Sequence, residues 1–166
     1  GGGEVYEGEI LKVITSLYPI LIKYNFKINL IIGNGVNYKT YLKIKRLYLK
    51  IKIYRNLNNI FAILSKSKFV ICGGGGTAYE SAYFNCVTFF IPRVNHQKKN
   101  VNFFIKNNFG KKIPNLSRKK KLNIFFERYL FNKKFIFKQQ KISKKIINSN
   151  GIDKVTKLII DKIDER

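Results

Sequence analysis

The sequence predicts an α/β chain built on a doubly wound parallel sheet, with a helical C-terminal region. Three observations carry this. Short runs that are apolar at every position alternate with segments of about ten residues whose apolar positions recur at helical spacing, the pattern of strands covered on both faces by helices. Each strand-like run stops at a residue that turns the chain, such as Gly33, Gly73 or Pro92. Beyond Pro114 only helix-like segments follow.

In chain order, residues 9–18 place Ile10, Leu11, Val13, Ile14 and Leu17 on one helix face, and Pro19 is expected to end or kink that helix. Residues 28–32 are a β-branched strand closed by Gly33-Asn34-Gly35. Residues 38–47 read as helix and 51–54 as strand, and Asn58 is the expected N-cap of a short helix through Leu64. Strands are expected over 69–72 and 87–91, with a helix over 77–84 between them. Residues 97–108 read as helix, with Gly110 placed to cap its C-terminus. Residues 117–130, 135–147 and 152–163 complete the helical region.

At 166 residues the chain is long enough for one domain with a core of its own. It contains no Met and begins Gly1-Gly2-Gly3, so the expectation is a single domain over 1–166 that is a fragment of a longer two-domain chain, its first strand lost just ahead of Gly1. Two cysteines, Cys72 and Cys86, and one histidine offer neither CxxC spacing nor a four-ligand zinc set, which fits free thiols in a reducing cytoplasm. No apolar run approaches the ~18 residues of a membrane-spanning helix.

The formal charge is +24, with 27 Lys among the 33 basic residues. Residues 98–166 hold 20 basic and 5 acidic residues against 13 and 4 in 1–97. Such a face suits nucleic acid or the anionic inner surface of a membrane, where the protein would sit peripherally. The accompanying excess of Asn, Ile and Phe, all served by codons of A and T, supplies a compositional origin, and a solvated face is the plainer reading. Pairs such as Phe103-Phe104 and Phe125-Phe126 lie among lysines as stacking residues would, at a spacing that equally fits helix core.

In an open α/β sheet ligands bind beyond the C-terminal ends of the strands, which selects the loops at 1–4, 33–37, 55–58, 73–77 and 93–97. Four glycines, Gly73 to Gly76, run into Thr77-Ala78-Tyr79-Glu80. Glycines allow close backbone approach, and a helix starting at Thr77 aims its unpaired N–H groups and positive dipole end at an anion, most naturally a phosphate or diphosphate. Thr77 and Glu80 also match a capping box, in which each satisfies the other's backbone donor. The loop fits a dinucleotide fingerprint, yet no acidic residue lies between Glu80 and Glu127 to hold the ribose, and no Gly-Lys-Ser/Thr string marks a Walker loop. Carboxylates are too few to assemble a paired acid and base, so no catalytic residue, metal site or cofactor is expected.

The words Asn58-Asn59-Ile60, Phe69-Val70-Ile71-Cys72, Gly74-Gly75-Gly76-Thr77-Ala78-Tyr79-Glu80, Ile91-Pro92 and Asn95-His96-Gln97-x-x-Asn100 resemble the C-terminal half of GT-B fold nucleotide-sugar enzymes. The nearest groups are glycosyltransferase family 28 and the related UDP-sugar hydrolase of pseudaminic acid synthesis. Gly2-Gly3 resembles the glycine pair after that domain's first strand, and Asn150-Gly151-Ile152 the lead into its last helix.

The resemblance implies a Rossmann-like domain that binds the UDP-sugar donor of a glycosyltransferase serving cell-envelope polysaccharide, with the hydrolase as the alternative and a basic nucleic-acid module as a third, disfavoured class. It implies that Gly74, Gly75, Gly76 and Thr77 hold the diphosphate, Glu80 the ribose hydroxyls, Leu57 the uracil through its backbone, and Gln97 the sugar hydroxyls. Gly2, Gly3, His96 and Arg93 complete the expected lining, with Arg93 and Lys98 offering positive charge. The general base and acceptor site would belong to a separate N-terminal domain. Asn85 and Thr88 stand where the family usually has Gly and Pro, and Asn85 tolerates the left-handed conformation of a helix end.

Overall fold

The computed structural model describes residues 7–33, 35–114, 118–147 and 151–164. The elements run α1 (Glu7–Lys23), β1 (Ile28–Ile32), α2 (Tyr38–Leu47), β2 (Ile51–Arg55), α3 (Phe61–Leu64), β3 (Phe69–Cys72), α4 (Gly76–Tyr83), β4 (Val87–Phe90), α5 (Asn95–Lys106), β5 (Lys111–Lys112), α6 (Lys119–Leu130), α7 (Lys133–Ile146) and α8 (Gly151–Asp164). Every strand pairing among the described residues is parallel.

Among the described residues the hydrogen-bonded ladder is divided: β1 pairs with β2, and β3, β4 and β5 form a second sheet in that order. Ile28 to Ile32 align with Ile51 to Arg55, and Phe69 to Cys72 with Val87 to Phe90. The central strand β4 is buried at all four positions, which explains a run that is apolar apart from Thr88. Thr88 tolerates burial because its hydroxyl bonds Ser81 Oγ at 2.8 Å and donates to the Cys86 carbonyl.

Three cores hold the layers together. Val13, Leu17 and Ile20 of α1 pack with Val87 and Phe89 against Leu122, Phe126 and Leu130 of α6. On the other face of the second sheet, Ala78, Ala82, Phe90, Val101, Phe104 and Phe109 form a cluster. Ile14 of α1 meets Ile44 and Ile51, so α1 covers part of both sheets. Phe104 and Phe126 are fully buried and Phe125 packs against the first core, whereas Phe103 is exposed, so the helical-core reading holds for both rings of the second pair and for one ring of the first.

Several local expectations are corrected. Pro19 lies inside α1, which continues to Lys23. Packing of Val13, Leu17 and Ile20 holds the helix despite the amide hydrogen that proline lacks. The N-cap of α3 is Ile60, with no side-chain capping bond, in place of Asn58; one residue earlier, Asn59 Oδ1 accepts from Phe61 N–H at 2.8 Å. Helix α5 ends through Asn108 (φ 60), not Gly110: Phe109 N–H reaches the Phe104 carbonyl and Asn108 N–H that of Ile105. This is a Schellman closure. The same pair of bonds closes α4 through Asn85 (φ 57) and α1 through Asn25 (φ 53), so asparagine does at three helix ends what glycine commonly does. Among the described residues no helix is long and apolar enough to cross a membrane.

Candidate functional site

The candidate site is built at the C-terminal end of β3, where the chain must turn from a buried strand into α4. Gly73 and Gly74 press against α5, and a Cβ on Gly73 would lie 2.9 Å from Gln97 Oε1. Gly74 has φ +94, and a Cβ there would lie 2.5 Å from Val101 Cγ2 and 3.1 Å from the Gln97 carbonyl oxygen. Only glycine fits that combination of left-handed backbone and contact. Asn100 Nδ2 donates to the Gly74 carbonyl at 3.1 Å, tying the loop to the first turns of α5.

Gly75 and Gly76 differ from this pair, since a Cβ on either would meet nothing within 4 Å. Gly75 is the N-cap of α4, with extended backbone and no side-chain capping bond. The capping box of Thr77 and Glu80 is therefore not formed: the helix begins one residue earlier than the sequence suggests, which puts Thr77 in the first turn instead of at the cap. Ala78 N–H bonds the Gly75 carbonyl at 2.9 Å, and the N–H groups of Gly76 and Thr77 have no hydrogen-bond partner among the described residues. A helix end in this state attracts an anion through both its donors and its dipole.

Glu80 stands one turn into α4, half-buried, and its carboxylate makes no hydrogen bond or ion pair with any described residue. Beneath the loop, burial pushes the Cys72 thiol up to about 12; a backbone hydrogen bond from Gly74 opposes the rise and the charge of Glu80 adds to it. Burial also pushes Cys86 up to about 11, and its Sγ bonds the Ser67 and Leu64 carbonyls. Both thiols are thus structural. Native protein at pH 8 is expected to resist iodoacetamide at both, with modification rising only as urea unfolds it. Because both folded values lie above the ordinary thiol value of 9.0, their stabilisation is intact below pH 9 and declines as pH rises through 11 to 12.

The remaining expected residues fall into two groups. Leu57 is half-buried in the loop after β2, where Asn56 (φ 53) donates its N–H to the Ile32 carbonyl at 3.1 Å. Gln97 is half-buried in the first turn of α5, but its Oε1 accepts from Arg93 N–H at 3.0 Å. The Gln97 amide nitrogen, beside Gly73, has no hydrogen bond among the described residues. Arg93 is half-buried in the loop before α5, His96 is exposed on its first turn, and Lys98 Nζ reaches Asn95 Oδ1 at 3.5 Å. Gly2 and Gly3 lie outside the described residues. Asn100 has a place in the sequence pattern but no role readable there. Its position three residues after Gln97 puts both on one helix face against the glycines. Among the described residues no cluster of three or more His, Cys, Asp or Glu is placed to hold a metal ion.

The family model of the glycosyltransferase family 28 C-terminal domain matches residues 7–156. The chain belongs to that family. Similar solved structures agree with the fold of this family 28 domain. The glycotransferase of kitacinnamycin superposes with a TM-score of 0.70 at 14% identity, covering 91% of this chain and 39% of that one. A spinosyn rhamnosyltransferase complexed with spinosyn aglycone superposes with a TM-score of 0.67 at 15% identity, covering 83% and 36%. The family 28 domain thus spans less than two fifths of the length of each of these chains. Its architecture is that of the C-terminal half of a GT-B fold. No curated protein sequence matches the chain.

Proposed function

We propose that this domain binds the UDP-sugar donor of a glycosyltransferase at the loop formed by Gly74, Gly75, Gly76 and Thr77. The observation that carries the proposal is the division of labour among the glycines. Gly74 is locked against α5, while a Cβ on Gly75 or Gly76 would meet nothing within 4 Å, at an uncapped helix N-terminus one turn ahead of Glu80, whose carboxylate makes no hydrogen bond or ion pair among the described residues.

In this reading the Gly76 and Thr77 N–H groups take the diphosphate, and Glu80 accepts from two vicinal ribose hydroxyls. The backbone at Leu57 lies along the uracil. The Gln97 amide nitrogen donates to a sugar hydroxyl, a narrower role than a whole amide would have, because its oxygen is held by Arg93 N–H. His96, Arg93, Gly2 and Gly3 line the same end of the sheet.

The chemistry is substitution at the anomeric carbon. The bond from that carbon to the diphosphate oxygen breaks, its electron pair leaves with UDP, and an acceptor hydroxyl forms the new bond after losing its proton to a base. Charge grows on the departing diphosphate, where the fixed donors and dipole of α4 stabilise it without reorganisation. Arg93 and Lys98 add positive charge nearby. The base and the acceptor site belong to a partner N-terminal domain. Transfer is preferred to hydrolysis because the family model and both structural neighbours carry glycosyltransferase descriptions.

Calorimetric titration of the domain with UDP, ADP and inorganic phosphate tests this. UDP is expected to bind at least about tenfold more tightly than ADP, a difference of about 1.4 kcal/mol. Equal and steeply salt-dependent binding of all three would assign the interaction to the basic surface instead.

A further inference from the structure

The N–H groups of Gly76 and Thr77 take their directions from the first turn of α4, but the N–H one residue earlier does not. Gly75 N–H belongs to the peptide unit that joins Gly74 to Gly75, ahead of the helix, and it has no hydrogen-bond partner among the described residues. A peptide unit between two glycines is locally free to turn over. The turn changes only ψ of the first residue and φ of the second, and glycine accepts either sign of φ. Turned over, the unit would present its carbonyl oxygen where it now presents its N–H.

One side chain opposes that. Asn100 Nδ2 donates to the Gly74 carbonyl oxygen at 3.1 Å. In a trans peptide the C=O and N–H of one unit point in opposite directions, and no described peptide bond is cis. Holding the oxygen therefore aims Gly75 N–H away from Asn100, and the surroundings of Gly75 are open, since a Cβ there would meet nothing within 4 Å. The helix that carries Asn100 is itself fixed: the next residue, Val101, is 1% exposed and packs with Phe104 and with Ala78 and Ala82 of α4. Asn100 is thus a rigid clamp on a peptide unit that its own glycines leave loose.

We infer, on the donor-binding reading above, that Asn100 is a positioning residue for the diphosphate. It keeps the Gly74–Gly75 peptide in the orientation that gives the anion a third N–H donor, ahead of those of Gly76 and Thr77. Without the clamp the unit turns over, and a carbonyl oxygen facing the phosphate replaces an attraction with a repulsion. A donor held in place before the reaction stabilises the growing charge of the departing diphosphate without reorganising. The role is confined to the phosphate end, because Leu57 and Glu80, which take base and ribose on the same reading, lie outside that peptide unit.

The test compares the parent with Asn100→Leu and Asn100→Ala, using UDP and uridine, which has base and ribose but no phosphate. Both variants remove the amide donor; leucine keeps the volume and alanine avoids a clash. UDP is expected to bind at least about tenfold more weakly, the scale of one lost hydrogen bond to a charged group, while uridine affinity changes by less than about twofold. A side chain that only stabilises the fold would weaken both ligands together, and an unchanged ratio of the two affinities would overturn the inference. The orientation of the peptide is read separately, without nucleotide, from the residual dipolar coupling of Gly75 N–H and the carbonyl carbon shift of Gly74. Both are expected to change in both variants. An unchanged Gly75 coupling would overturn the role of Asn100 whether or not the parent binds UDP, so its failure is separable from failure of the donor-binding proposal.

Discussion

Replacing Glu80 with alanine is expected to weaken UDP binding by about 10–100-fold while leaving the unliganded domain as stable as before, within ~0.5 kcal/mol. The first figure follows from hydrogen bonds to a charged group, which contribute about 1.5–3 kcal/mol. The second follows from the absence of any hydrogen bond or ion pair to the Glu80 carboxylate among the described residues. The two readouts separate roles that the sequence leaves entangled. Had the capping box formed, Glu80→Ala would destabilise the apo domain by loss of a cap. Because Gly75 is the N-cap and carries no side chain, that cost is not expected. Calorimetry and urea denaturation on the same variant measure both, and unaltered UDP affinity would remove Glu80 from the site.

Alanine at Gly74 and at Gly75 is expected to act in opposite ways. Gly74→Ala drives a methyl group to 2.5 Å from Val101 Cγ2, and Val101 is itself buried and unable to move aside. With φ +94 the residue also adopts a backbone that L side chains resist. Together these cost about 2–4 kcal/mol, the sum of a left-handed penalty and an overpacked contact. Gly75→Ala meets nothing within 4 Å and has φ −83, so stability is expected to hold or rise by about 0.4–1 kcal/mol. Its methyl, however, occupies the space assigned to the diphosphate, and UDP is expected to bind at least about tenfold more weakly. Urea midpoints and UDP titrations of both variants check this. A Gly74→Ala protein as stable as the parent, or a Gly75→Ala protein with unchanged UDP affinity, would contradict the assignment.

The contrast between these glycines marks the boundary of what the sequence discloses. That Gly73 to Gly76 form a cradle at a helix start is legible, because glycines between an apolar strand and a helix have few other uses. Which of them presses on α5 and which faces open space depends on Val101 and Gln97, more than 20 residues away, and no local pattern encodes it. Strands β1 and β3 are legible to the residue because their β-branched runs end abruptly at Gly33 and Gly73. Strand β5 is not, because two lysines carry no strand signal and pair with β4 only through their backbone. Proline at position 19 signals a helix end locally, and α1 overrides it through contacts with α6 and β4 that lie far along the chain. The division of the described strands into two sheets is likewise invisible, since neither run specifies which strand lies beside it.

Amide resonances followed during titration of UDP into isotopically labelled domain test the central claim most directly. Saturable shifts are expected to concentrate at Gly75, Gly76, Thr77 and Leu57, to be larger with UDP than with ADP at equal concentration, and to be abolished in Glu80→Ala at concentrations that saturate the parent. Shifts centred on the lysines of α6 and α7 and indifferent to the base would contradict it.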